Sequence, residues 1–287
     1  MYEAEIEIDE AAVTQKSDRF RVVKFYRPGR WNYEQLKEEH NFLAELLESE
    51  VPVVAPLPLE AGDTVGLEQG AGIYFSVFPK ASGRIDDELS FERLEIIGRL
   101  IARLHIVGAR KRESSRLTMT PELYYPDNIT FLETTDLLPQ QAKGPFLNVA
   151  REILSKSSKL FQETALLRMH GDCHYGNILW SSEGTPFFVD FDDMGVGPAI
   201  QDMWLICGND EVNQEIFLEA YGTFREFDRS ELELKDPLRA LRLIHYSAWI
   251  AKRWEDPAFK RIFTNFGSLP YWQEQTGYLE DLLALIN

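Results

Sequence analysis

Residues 168–193, RMHGDCHYGNILWSSEGTPFFVDFDD, constrain this chain more than any other stretch. Short apolar runs (LRM, NILW, FFV) alternate there with the turn formers Ser181, Ser182, Glu183 and Gly184, a pattern that predicts strands around a tight reversal. Residues 170–177 are expected to form a loop, and Asp190 to end a buried strand. Within that frame stand Asp172, Asn177 and Asp190. Phosphoryl transfer needs one carboxylate to orient and deprotonate an attacking hydroxyl, and oxygen ligands for one or two Mg²⁺ ions on the phosphates. Asp172 suits the first role, and Asn177 with Asp190 the second.

Asp172 and Asn177 stand in a D-x-x-x-x-N spacing, followed by an Asp across a strand–turn–strand, which is the order of a kinase catalytic loop. The spacing alone is weak, since two acidic residues in a loop are ordinarily solvated. Its context, HG before it, HYG inside it, then ILW and VDFD, makes it strong. A zinc site on His170, Cys173 and His174 is the competing chemistry, and no second cluster with ligand spacing supports it.

With HGDCHYGN followed by a strand ending in Asp, the chain resembles the aminoglycoside phosphotransferase and choline kinase superfamily. With VVKFYRPGRW before and VDFDDMGVGPAIQDMW after, it closely resembles the bacterial stress response kinase A (YihE/RdoA-like) family, over residues 20–282. That resemblance implies an α+β, bilobal protein kinase-like fold with a small antiparallel-sheet N-lobe and a mainly helical C-lobe. It also implies ATP as co-substrate with Mg²⁺, and a protein serine or threonine as acceptor.

Upstream, residues 2–8 alternate as a half-exposed strand and residues 20–26, FRVVKFY, form a second, joined to the first by a hairpin loop. Lys24 lies inside that apolar run. It reads either as an edge-strand lysine facing solvent or as the kinase lysine that contacts the phosphates. Residues 31–48 carry leucines at helical intervals, which turns Glu39 inward and Glu38 away. In the resembling kinases the helix glutamate that pairs with the lysine falls here, so Glu39 is preferred. Residues 73–79, IYFSVFP, form a strand leading into a hinge at 79–83, where backbone groups of Lys80 and Ala81 are placed against an adenine edge. The nucleotide-binding lobe is accordingly drawn at 1–80 and the catalytic and substrate lobe at 81–287.

Residues 91–109 form an amphipathic helix whose His105 reads as a packed structural histidine. Residues 119–160 read as irregular, then helical. Asp202 opens an apolar helix and, as in kinase-like folds, is expected to brace the catalytic loop from behind, with His170 beside it. Asp192, two positions after Asp190 on the same strand face, either touches a metal or, the preferred reading, is solvated or hydrogen-bonded. Helices follow over 211–224, 238–254 and 271–286, with Arg239, Arg242, Lys252 and Arg253 in one region, as an acid-binding patch or as a solvated margin.

The charge balance excludes partners more than it selects them. Forty-seven acidic against thirty basic side chains give a net −17, a field that repels nucleic acid and acidic membranes. No run approaches the roughly 20 apolar residues of a membrane span, and MYEAEIEIDE is no signal peptide, so a cytoplasmic chain is expected; a monomer is expected as well. The two cysteines, Cys173 and Cys207, make no disulfide scaffold.

Two features are missing relative to kinases. No glycine-rich loop precedes Lys24, so the first strand and phosphate loop are expected to be lacking. The segment after Asp190 is too short for an activation loop and contains no APE, and HGD stands in place of HRD. The second absence favours a small hydroxylated acceptor of aminoglycoside, choline or homoserine type on physical grounds. The first keeps open a non-catalytic nucleotide-binding role.

Overall fold

The computed structural model describes residues 1–6, 19–60, 62–86, 89–111 and 114–286. It divides into two compact units, one of Met1–Leu117 with Leu166–Phe227, the other of Thr118–Ala165 with Asp228–Asn287.

The first unit begins with strands β1 (Tyr2–Glu5) and β2 (Phe20–Phe25). β1 is exposed throughout and stops short of the expected residue 8; residues 7 and 8 and most of the hairpin loop lie outside the described residues. Helix α1 (Tyr33–Glu48) starts two residues later than its pattern predicts because Asn32 closes a reciprocal capping box with Gln35. Strands β3 (Gly66–Glu68) and β4 (Ile73–Pro79) complete an antiparallel sheet in the order β1-β2-β4-β3. β2 is thus an internal strand, and Lys24, opposite Ser76, is no edge lysine. Helix α2 (Phe91–Gly108), capped by Ser90, buries Leu94, Ile97, Ile101, Leu104 and Val107 along one stripe.

The second unit takes over at α3 (Pro121–Tyr124), α4 (Pro126–Thr134) and α5 (Gln140–Leu160). Two short helices therefore occupy the stretch expected to be irregular. Each has proline in its first turn, where the missing N–H costs nothing and φ is already helical.

The chain then returns to the first unit with β5 (Leu167–Met169), β6 (Ile178–Trp180), β7 (Pro186–Phe188) and β8 (Gly195–Gly197), paired β5 with β8 and β6 with β7. Helices α6 (Gln201–Cys207) and α7 (Glu211–Gly222) close it. α2 packs on β5 so tightly that a Cβ on Gly108 would sit 1.9 Å from the Arg168 carbonyl oxygen.

The second unit ends with α8 (Lys235–Ala251), α9 (Pro257–Ile262) and α10 (Leu269–Leu285). α8 and α10 begin before their expected starts, with Pro237 and Pro270 in their first turns, where the missing N–H has no helical partner to lose. Phe146, Leu241, Ile244 and Trp272 centre this unit's core, and the Trp272 indole donates to the Leu137 carbonyl at 2.8 Å. No helix among the described residues is long and apolar enough to cross a membrane.

Candidate active site

The β6–β7 hairpin organises the site. Ile178 pairs with Phe188, and the Val189 amide donates to the Asn177 carbonyl at 3.0 Å, so Asn177, just ahead of β6, lies beside the residues that follow β7. Thirteen positions of sequence collapse to neighbours at the open end of one hairpin. Asp190 does not end a strand as expected. It lies two residues past β7 with φ 60° and ψ 65°, a left-handed conformation that Asp tolerates better than most side chains. Strain of this kind clusters at functional positions.

A cavity of about 360 Å³ opens at this point, wholly within the first unit. Lys24, Glu39, Lys80, Ala81, Asn177 and Asp190 all line it. Apolar side chains of Val22, Phe78 and Leu179 form much of the remainder, as suits a flat aromatic base. Glu39 is buried on α1, whereas Glu38 turns away to accept from the Ser115 amide and hydroxyl.

Glu39 is the strongest attractive charge on Lys24, but the close ion pairs lie elsewhere. Lys24 Nζ lies 2.9 Å from Asp190 Oδ1 and 3.2 Å from Asp192 Oδ1, while Glu39 faces Arg116 at 3.5 Å. Arg30 forks onto Asp192 Oδ2 and Asp193 Oδ1, both at 2.6 Å. Asp192 therefore belongs to a short 3₁₀ turn, Phe191–Asp193, and is held by two cations; the expected strand face does not exist. Burial disfavours the Lys24 ammonium, but Glu39, Asp192 and Asp190 outweigh it and hold its pKa above the ordinary value. Burial also pushes the Glu39 carboxyl up to about 7, against Lys24 and Arg116. In Asp192 burial is overcome by Lys24 and Arg30, and the pKa falls.

The loop holding Asp172 is pinned from below. The Asp202 carboxylate, fully buried, accepts from the His170 and Gly171 amides at 2.8 Å each. His105 lies 3.2 Å from the same carboxylate and 3.0 Å from the Tyr221 hydroxyl, so it is a buried link in a hydrogen-bonded chain. His170 donates from Nε2 to the Val189 carbonyl at 2.9 Å, which joins the loop to the strand leading to Asp190. Asn177 Nδ2 donates to the Asp172 carbonyl at 2.9 Å. His174 accepts the Gly176 amide on Nδ1, and its Nε2 is 3.6 Å from Asp172 Oδ2.

A hard divalent cation fits here. With Nδ2 of Asn177 and Oδ1 of Asp190 engaged, Oδ1 of Asn177 and Oδ2 of Asp190 accept no hydrogen bond among the described residues. A cation of Mg²⁺ type takes one or two such oxygens and completes its shell with phosphate and water. Among the described residues no group of three or more His, Cys, Asp and Glu is placed to hold a metal, so the zinc reading gains no support. Cys173 is buried, and burial raises its thiol pKa well above the usual range.

The basic residues along and just past α8 engage separate partners. Arg239 binds Asp236 at 2.7 Å, Lys252 binds Asn128 at 2.8 Å, and Arg253 stacks on Trp249. Sequence reasoning missed Arg30 and Arg116 as site residues. Arg30 was visible within RPGRW, but nothing distinguishes Arg116 within KRESSRL.

The profile of the phosphotransferase enzyme family (APH) matches residues 9–234. Stress response kinase A of Escherichia coli (strain K12) is 41% identical over 268 residues, which are 91% of this chain and 80% of that protein. The serine/threonine protein kinase RdoA of Salmonella typhimurium is 41% identical over 270 residues, again 91% and 80%. Among solved structures, the microcompartment-associated aminopropanol kinase superposes with a TM-score of 0.69 at 17% identity, covering 92% of this chain and 84% of that one. The fold is the kinase-like α+β fold shared with it, an antiparallel sheet followed by a mostly helical remainder.

Proposed function

The chain belongs to the phosphotransferase enzyme family, and from that premise we propose that it is an ATP- and Mg²⁺-dependent serine/threonine protein kinase of the stress response type. The observation that carries the reading is the convergence of Lys24, Glu39, Asn177 and Asp190 on one cavity bordered by Lys80 and Ala81.

Asp172 is the base. It takes the proton of the acceptor hydroxyl as that oxygen bonds to the γ-phosphorus; the bond from the γ-phosphorus to the β–γ bridging oxygen breaks, and ADP leaves. Asn177 and Asp190 hold Mg²⁺, which neutralises phosphate charge when bound. Lys24 orients the phosphates, Glu39 supports it, and the backbone at Lys80 and Ala81 receives the adenine edge. His170 and Asp202 brace the loop. Residues 1–80 form the nucleotide lobe and 81–287 the catalytic and substrate lobe of a monomer working in the cytoplasm, where ATP is available. The protein acceptor rests on the relatives' names and on 41% identity over 91% of the chain.

A second reading keeps the chemistry and replaces the acceptor by a small hydroxylated molecule. It is favoured by the shortness of the stretch between Asp190 and α6, residues 191–200, which holds a 3₁₀ turn and β8 and is too short for an activation loop of the protein-kinase type. ADP release is measured with generic proteins and with an alcohol panel, for the wild type and for Asp172→Asn. The expected result is turnover with protein acceptor that falls about 10² to 10⁴-fold in the variant. Turnover only with small alcohols selects the second reading. Undiminished turnover in a folded Asp172→Asn chain removes the base assignment, and nucleotide-induced stabilisation without turnover in the wild type points to a binding protein instead.

A further inference from the structure

The residue that ties the cavity together is one to which the reaction assigns no role. Arg116 lies in the segment between α2 and α3, is 4% exposed, and sends its guanidinium into the turn that follows Asp190. Nε donates to the Met194 carbonyl at 3.0 Å, and Nη2 to the Asp192 carbonyl at 2.6 Å and the Phe191 carbonyl at 3.4 Å. The planar group lies 3.8 Å over the Trp31 ring, and Nη1 faces Glu39 Oε2 at 3.5 Å.

Three carbonyls of one turn captured by one rigid fork leave that turn little freedom, because a guanidinium presents its donors in a fixed plane. The turn begins at Asp190, whose left-handed backbone needs outside support. Glu39 Oε2 and Arg116 Nη1 are both buried with no hydrogen-bond partner, so each charge keeps the other in place at a distance slightly too long for a bond. The Glu39 of α1 is therefore linked to the acidic turn through Arg116, while Lys24 is engaged by that turn directly.

We propose that Arg116 is a positioning residue that sets the Asp190 carboxylate for metal by holding the carbonyls of Phe191, Asp192 and Met194. This rests on the reading of Asn177 and Asp190 as the metal ligands. Its signature is a loss of metal-dependent nucleotide binding, with metal-free binding kept, because the Arg116 guanidinium does not line the cavity.

The test is calorimetric ADP binding with and without Mg²⁺, on the full chain. The wild type is compared with Arg116→Lys, which keeps the charge and loses the fork, and with Arg116→Gln/Glu39→Gln, which removes both buried charges together. Glu39→Gln alone, which leaves the carbonyl bonds intact, is the baseline for the double change. The expected result is an Mg²⁺-dependent gain in ADP affinity at least about tenfold smaller in both Arg116 variants, with metal-free affinity within about twofold of its comparator. An undiminished gain in a folded variant overturns the proposal, as does equal loss with and without Mg²⁺. Failure of both variants to fold also overturns it, in favour of a purely structural arginine. Asp172→Asn, run alongside, keeps the two ideas apart: it should lose turnover and keep the Mg²⁺ gain. If the wild type itself shows no Mg²⁺ gain, the metal reading fails, and the Arg116 role fails with it.

Discussion

Nζ of Lys24 sits 2.9 Å from Oδ1 of Asp190, so the cation expected to meet phosphate is held by the carboxylate expected to meet metal. Asp192 holds the same nitrogen from the other side at 3.2 Å. Under the proposed roles, a nucleotide would offer its phosphate oxygens to Lys24, and Asp190 would be one of the residues holding the cation. The ion pair holds both side chains at the edge of the cavity.

Lys24→Met should therefore weaken ATP use more than it weakens the fold. Losing a charged hydrogen-bond donor to phosphate costs about 1.5 to 3 kcal/mol, or about 10- to 100-fold in kcat/KM for ATP. Steady-state kinetics against ATP check it; a change under about threefold would separate Lys24 from the phosphates.

Asp202→Ala should destabilise the chain by about 3 to 5 kcal/mol, because it orphans the buried amides of His170 and Gly171 and removes the partner of His105. Urea unfolding reads the loss directly. Asp202→Asn retains one acceptor oxygen and should cost distinctly less, and a loss under about 1 kcal/mol for the alanine variant would show that the loop does not depend on this clamp.

Glu39 gives the fold a pH dependence of unusual sign for a carboxylate. Its folded pKa is about 7 and its ordinary value is 4.5, so between these the folded chain keeps a proton that the unfolded chain has lost. Its contribution to stability falls as pH rises through that window, by an amount on the order of 3 kcal/mol. Glu39→Gln lacks the slope. Denaturation of both chains at about pH 5 and about pH 7.5 should find the variant gaining on the wild type by about 2 to 3 kcal/mol, and a difference independent of pH would refute the assignment.

Gly108→Ala should prise α2 from β5. The added methyl would meet the Arg168 carbonyl oxygen at 1.9 Å, backbone against backbone, with no flexible side chain to yield. A loss of about 3 kcal/mol or more in chemical denaturation is expected, at the upper end of overpacking costs. Gly98→Ala, whose methyl would lie 2.6 Å from the Phe217 carbonyl oxygen, serves as an independent second site on the same helix.

Much of the site was legible along the chain because its parts are local. The spacing of Asp172 and Asn177, the reversal at 181–184 and the approach to Asp190 are set by residues a few positions apart, and hairpin register follows from turn length. Glu39 could be chosen over Glu38 because helical periodicity turns one inward and the other away. The short helices α3, α4 and α9 were less legible, since proline ends one helix and begins another with the same side chain.

By itself, then, the sequence singled out the candidate residues Asp172, Asn177, Asp190, Lys24 and Asp202, and a sheet followed by helices to carry them. Only the tertiary structure decided the pairing of charges. Lys24, Arg30 and Arg116 meet four carboxylates across separations reaching 166 positions in the chain, and each pair is chosen by where α1, β2 and the turn after β7 bring the side chains. No local preference encodes that choice, because charges interact with whatever the fold sets within a few ångströms, at strengths fixed by burial.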